Sequence, residues 1–398
     1  MKDSIRRVKN AFRHKAPDRT PIFEIFQPFH PIFWDICGRT IATDMTMNWD
    51  AKADGISWEE LIEEEAKARF TINKFFQMDI VHIRCNLKRD FPRPKKINNT
   101  EWELNGRRYI LNEKTKLINL KNTSENDASS YKFSEDECRN ELDLWDEKAE
   151  AVCDDVFAVY KRFRELASAE HIEWVYMFEG GGAGTGAAFY PPFLLMWIIL
   201  EPELYKKWLF KKKTNCFAVQ AKAISLGFDI IVIGGDVSSD KGTIISPEQY
   251  HTFLFPIIKE QVELIHKNNK LAVYTSDGNH WAIKEDMFLN SGIDGYKEID
   301  KAAGMTMEKL IKEGIDEKVC LIGNIDARYT MCLGTEKEVA EETIACLEYG
   351  RKSPGGHILH LSHSVHEDVK SENYYALINA YRDYFGLAEI INTKKFRQ

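Results

Sequence analysis

The chain is short of paired cysteines, of long apolar runs and of positive charge. Its cysteines stand at 37, 85, 138, 153, 216, 320, 332 and 346, none in a CxxC pattern. That spacing argues against a zinc knuckle and for reduced thiols in a cytoplasmic protein. The longest apolar stretch, PPFLLMWIIL, stops at Glu201, far short of the roughly 20 residues a bilayer span needs. With 54 Lys and Arg against 62 Asp and Glu, the net charge is −8, and the basic surplus of a nucleic-acid binder is missing. The opening MKDSIRRVKNAFRHKAPDR is charged throughout and has no apolar centre of the kind a secretion signal carries. Neither GxGxxG nor GKS occurs. The glycine-rich GGGAGTG (180–186) lacks the Lys-Ser/Thr that would hold a nucleotide, so its glycines are read as letting a loop pass close to a ligand or another backbone.

What is present is an alternation of short apolar runs with longer helical stretches. The runs are TPIFEIF (20–26), DIVHIRC (79–85), EWVYMFE (173–179), DIIVIGG (229–235), LAVYTSD (271–277), GYKEID (295–300), VCLIGNID (319–326) and HILHLSHS (357–364). The helical stretches carry start signals: Ser246 as N-cap with Pro247 behind it, and Thr335 opening a helix expected to end before Gly350. Near-continuous apolar strands alternating with helices predict a parallel sheet covered on both faces. Eight such units predict an α/β fold of the (β/α)8 TIM-barrel type, a single domain over 1–398. Residues 86–146 interrupt the alternation. Asn105-Gly106 sits there between alternating residues and predicts a β-hairpin insertion after the second strand. The insertion is read as shaping the mouth or as a partner surface, for a second copy of the chain among others.

In such a barrel the chemistry lies at the C-terminal ends of the strands. Those ends carry Glu24, Arg84, Glu179, Asp236, then Thr275, Ser276 and Asp277, then Glu298 and Asp300, Asn324 and Asp326, and finally His360 and His363. Carboxylates crowded on one rim repel one another, and the cheap resolutions are a metal ion, a cationic partner or a shared proton. Several of these acids could equally cap the helices that follow. Of the histidines at 357, 360, 363 and 366, His363 ends the apolar run and is the best placed for the rim. Phe26, Phe29, Phe33, Trp34, Phe189, Tyr190 and Trp281 are candidates to line an apolar pocket, or alternatively to pack helices on the barrel.

Four stretches in register resemble the uroporphyrinogen decarboxylase-like superfamily: RVKNAFRHKAPDRTPI, GFDIIVIGGDVSSDKGTIISPEQYHTFLFPIIK, LIGNIDARYTMCLGTEKEVAEE and GGHILHLSHSVHEDVKSENYYALINAYRDYFG. The superfamily holds the decarboxylase and the corrinoid-linked methyltransferases of anaerobes, and its fold is a (β/α)8 barrel. The decarboxylase's Arg-Gln-Ala-Gly-Arg motif is replaced by EIFQPFHPIFW, so a porphyrin polycarboxylate is not the expected substrate. Asp79, near the decarboxylase's key aspartate, reads as a strand-start residue. The methyltransferase branch fits better. Where its members carry His-x-Cys and a later Cys for zinc, this chain carries Thr275-Ser276-Asp277 and His363.

The resemblance thus implies Asp277, Asp300 and His363 as an oxygen, oxygen, nitrogen set for zinc or another divalent metal. It implies Asp236, Asp277 and His363 as catalytic residues, and Glu24, Glu179, Tyr190, Ser276 and Asn324 as substrate-binding ones. The expected reaction moves a methyl group from a small methylated donor, such as an aromatic methyl ether, to the cobalamin of a separate corrinoid protein. A decarboxylase of a small acid, with His363 or Asp236 as proton donor, and a non-catalytic binding member are the competing readings.

Overall fold

The computed structural model describes residues 2–27, 30–38, 45–112, 117–121, 134–180, 182–353 and 356–389. In chain order the strands are β1 (Ile80–Arg84), β2 (Lys95–Asn98), β3 (Glu101–Leu104), β4 (Arg107–Asn112), β5 (Leu117–Leu120), β6 (Val175–Glu179), β7 (Ile230–Gly234), β8 (Ser238–Ser239), β9 (Gly242–Thr243), β10 (Leu271–Thr275), β11 (Gly295–Lys297), β12 (Cys320–Ile322) and β13 (His357–Ile358). Seven of them form one curled parallel sheet in the order β1-β6-β7-β10-β11-β12-β13. Each is separated from the next by helical segments, the long ones including Pro202–Leu226, Phe255–Lys267 and Glu336–Lys352.

The first expected strand, 20–26, is not a regular strand but takes the eighth place. Leu359 N–H donates to Pro21 O (2.8 Å), Val365 N–H to Ile25 O (2.8 Å), and Asp79 N–H to Ile22 O (2.8 Å). The segment therefore joins the last strand to the residue before the first, and the fold is the expected TIM-barrel type. Isolated bridges such as Ile22 to Leu359 replace a ladder there. Pro21 has no N–H to give, and Glu24 is turned into the seam.

Strand parity sets two cores. The inward set is Ile80, Val175, Met177, Ile230, Val232, Val273, Cys320, Ile322 and Ile358, with Phe23 and Ile25 of the first segment. The helix Lys2–Phe12 adds Val8, Ala11 and Phe12 to that set. Phe12 packs beside Gly295, where a Cβ would meet its ring at 2.9 Å. Gly295 begins β11, so this helix plugs the end opposite the mouth. Asp79 belongs to the same end. It accepts from Ser4 Oγ (2.8 Å), Arg7 Nη1 (2.6 Å), Arg19 Nη1 (2.9 Å) and Ile22 N (3.1 Å), which makes it a structural tie below the strands.

The insertion carries more than the expected hairpin. Asn105-Gly106 does turn β3 into β4, with φ of 51° and 75°, as a type I′ turn requires. But β2 to β5 form a four-stranded antiparallel sheet with a small core of Trp49, Trp102, Leu104 and Ile118. That core explains the extra strands, since an isolated hairpin is marginal in water. Ser246 and Thr335 cap as expected, each in a capping box. Gly350 does not end its helix, which runs to Lys352. It lies inside because the His357 ring packs where its Cβ would be, 2.0 Å from Nδ1. Among the described residues no helix is long and apolar enough to cross a membrane.

Candidate active site

The mouth of the barrel holds a cavity of about 620 Å³ lined by Asp277, Asp300, Ala327, Arg328, Cys332, Leu333, Ser362, His363, His366 and Asp368. A second, of about 370 Å³, is lined by residues 238–241 with Asp277 and Gly278. Asp277 belongs to both. It stands there because β10 ends at Thr275 and the chain then loops over Gly278, whose φ of 90° suits a residue without a side chain.

Asp236 backs Asp277. It follows β7 after Gly234 and Gly235, both at positive φ, and its Oδ1 accepts the Asp277 N–H at 3.4 Å. Burial, then the like charges of Asp277 and Glu298, push the Asp236 carboxyl up to about 7. Burial also raises Asp277; His363 and Arg328 oppose that rise, while Glu298 and Asp300 add to it. Asp236 thus keeps its proton up to about neutral pH, and Asp277 beside it also resists ionisation.

Beneath them the barrel interior is ionic. Lys297 on β11, with no exposed side-chain surface, reaches Glu179 Oε2 at 3.2 Å and Glu298 Oε1 at 2.9 Å. Glu179 also accepts from His82 Nε2 (3.0 Å) and from Arg84, and Glu298 accepts from Thr275 Oγ1 (2.6 Å). Burial is the largest influence and would raise both glutamates, but Lys297 together with Arg84 and His82 at Glu179, and with His363 and the Thr275 hydroxyl at Glu298, holds both below the usual carboxylate range. Burial likewise pushes His82 down to about 4, so it donates as a neutral imidazole. Glu298 sits at φ 67°. The strand therefore breaks right after Lys297, which carries Asp300 out to the mouth.

The expected site residues divide. Asp277, Asp300 and His363 share the large cavity, with Asp236 behind Asp277. Glu24 is buried in the seam, its oxygens accepting from Ile25 N (3.0 Å) and Leu361 N (3.3 Å). His360 Nδ1 lies 2.8 Å from Glu24 Oε1, off-line for a hydrogen bond. Glu179 is spent on the ionic layer. Tyr190 is buried against Tyr205 (3.0 Å) and Gly184 O. Ser276 is fully buried. Asn324 Nδ2 reaches Met305 O at 3.4 Å. None of these five lines the cavity.

Nor do the described aromatics line it. Phe26 and Phe33 pack in the outer core, Trp281 lies under Lys309, and Phe189 faces solvent, 70% exposed. Phe29 and the Trp34 side chain lie outside the described residues. The lining mixes charged side chains with Ala327, Cys332 and Leu333, and none of the described aromatics is part of it.

The metal set is not formed. Among the described residues no three His, Cys, Asp or Glu side chains are grouped to hold a metal ion. One of the expected ligands is already engaged: Asp300 Oδ1 accepts from Ala302 N (2.9 Å) and Ala303 N (3.3 Å), and Oδ2 from Arg328 (3.2 Å). Sequence reasoning missed His82, Lys297, Arg328 and His366. Lys297 had a signal in its parity, two residues on from Gly295 on the inward face, but a lysine reads as exposed until its partners are placed.

Residues 174–384, just over half of the 398-residue chain, match the family model described as uroporphyrinogen decarboxylase (URO-D). The chain belongs to this family. Its curated relatives are uroporphyrinogen decarboxylases. That of Coxiella burnetii is 24% identical over 193 residues, 46% of this chain and 48% of that one. That of Chloroherpeton thalassium is 27% identical over 150 residues, 36% and 39% of the two chains. The chain therefore spans under half the length of the curated relatives it matches. Among solved structures, a methyltransferase from Methanosarcina mazei aligns over 95% of this chain and 98% of its own, with TM-score 0.63 and 17% identity. That likeness shows a shared fold over nearly the whole chain.

Proposed function

We propose that this URO-D family member is a methyltransferase that takes a methyl group from a small methylated donor and passes it to a corrinoid carried by a separate protein. The observation that carries the reading is Asp277 at the junction of the two mouth cavities, with Asp236 accepting its N–H from behind. A reduced corrinoid would supply the electron pair that bonds to the methyl carbon, and the carbon–heteroatom bond would break with its pair leaving on the heteroatom. The chain's own work is to hold the donor with its methyl group outward and to protonate the departing heteroatom. Asp277, which lines both cavities, delivers that proton and is left as a carboxylate until solvent reprotonates it, and Asp236 behind it, itself reluctant to ionise, adds no competing charge. Lys297 and its glutamates fix the floor beneath, so the acid pair is aimed before substrate arrives.

The mouth favours this over a polycarboxylate porphyrin. Asp277, Asp300 and Asp368 line it, and its guanidinium is already paired with two carboxylates.

The test is an anaerobic screen of isotopically labelled methyl donors with reduced cobalamin. Methyl transfer and CO₂ release are followed together. Asp277→Asn should slow transfer by about 10²-fold or more, the usual worth of a general acid. CO₂ release from an acid without corrinoid, and no methyl transfer from any donor, would overturn the reading in favour of decarboxylation.

A further inference from the structure

Among the described residues, Arg328 is the one Arg or Lys that lines the large cavity. It sits on the loop after β12, where its own N–H and that of Tyr329 are bound by Asp326 Oδ1 (2.8 and 2.9 Å). Its guanidinium makes a two-pronged contact with Asp240, Nη1 to Oδ2 at 2.8 Å and Nη2 to Oδ1 at 3.2 Å. Nη2 also donates to Asp300 Oδ2 at 3.2 Å.

The two partners differ in kind. Asp300 is buried and pinned by two backbone N–H groups. Asp240 stands on the turn between β8 and β9, a ribbon of two residue pairs, with its side chain 57% exposed. Fork-to-fork geometry suits a planar carboxylate. The exposed half of such a pair contributes little, because water competes for both charges.

We propose that Arg328 is the receptor for a carboxylate on the methyl donor, and that Asp240 occupies the fork until that carboxylate replaces it. The exchange keeps one carboxylate on the fork, and the released Asp240, already more than half exposed, is left to water. The same count limits the donor to one carboxylate. A second would face Asp277, Asp300 and Asp368, and the described lining residues include no Arg or Lys besides Arg328. The donor class is thus a small monocarboxylic acid bearing a methylated heteroatom. The word donor rests on the methyl-transfer reading; the binding site does not.

Binding is tested on the full chain at low salt without corrinoid, by ligand-observed NMR. Methoxyacetate and methoxybenzoate are the probes, and their amides are the uncharged controls. Asp240→Asn frees the fork and should tighten both acids about two- to fivefold, the worth of an exposed ion pair, while leaving the amides unchanged. Arg328→Gln should weaken the acids at least about tenfold, and Arg328→Lys, which keeps the charge but not the fork, should fall between. Acid binding that is indifferent to Arg328→Gln, or weakened by Asp240→Asn, overturns the proposal. So does the lack of saturable acid binding in Asp240→Asn. If acids bind through Arg328 yet no methyl group moves in the corrinoid assay, the receptor stands and the methyl-transfer reading falls.

Discussion

Asp236 shows how one side chain couples the site to the stability of the fold. Its folded value, about 7, lies above that of an unfolded aspartate, about 3.9. Below pH 4 the group is protonated in both states and costs nothing. As pH rises through 7 the unfolded chain has released its proton and the folded chain resists, so stability is lost across that window. Asp236→Asn should therefore melt higher than wild type at pH 8, by about 1–3 kcal/mol after allowance for partial solvation, and match it at pH 4. Equal melting curves at pH 8 would show the carboxyl to be ordinary. Lys297 poses the opposite case. Removing its charge leaves Glu298 buried with only the Thr275 hydroxyl and Glu179 with only His82 and Arg84, so Lys297→Met should cost about 3–5 kcal/mol in urea unfolding. A triple variant that also carries Glu179→Gln and Glu298→Gln should recover most of that loss. If the triple is no better than the single, the loss is one of packing and not of charge.

At the scale of elements, caps and breaks decide where functional residues fall. The helix Pro202–Leu226 ends on Gly227 at φ 96°, with its N–H bonded to Ala223 O and Ile224 O. A Cβ there would be strained by the backbone and would also meet Arg164 Nη1 at 3.0 Å. Gly227→Ala should cost about 1 kcal/mol or somewhat more, read as a drop in thermal midpoint; no change would mean that the helix end relaxes freely. The end of this helix sets the entry of β7 and so the position of Asp236. The helix beginning at Ser246 passes through a wider turn at Tyr250–Leu254 before Phe255–Lys267. Pro256 accounts for that turn, because it offers no N–H to the preceding carbonyls.

At the scale of the whole molecule, the barrel is closed at one end and open at the other. The helix Lys2–Phe12 fills the lower end with Val8, Ala11 and Phe12, and Asp79 ties that helix to the 21–27 segment. Phe12→Ala should cost about 3–5 kcal/mol, as a large core truncation does, measured by denaturant titration. It should leave acid binding at Arg328 unchanged, since the two lie at opposite ends. A shift in that affinity would show that the plug and the mouth are coupled.

The sequence by itself determined the barrel, the strand ends that face the mouth, and the placing of Asp277, Asp300 and His363 on one cavity. Alternation of apolar runs with capped helices, and the period of two along each strand, are local properties that survive without coordinates. Asn105-Gly106 was legible for the same reason, since positive φ at both positions is a property of those two residues. Only the tertiary structure decided what each polar group is spent on. Glu24 and Glu179 look no different from Asp277 in a strand-end list. They are separated by their partners His360, His82 and Lys297, which lie far from them in the chain. Arg328 looks like a surface arginine until β8 and β9 bring Asp240 to it. Pairing, burial and the resulting shifts in proton affinity depend on distances of a few ångströms between segments remote in sequence, and such distances exist only once the barrel has closed.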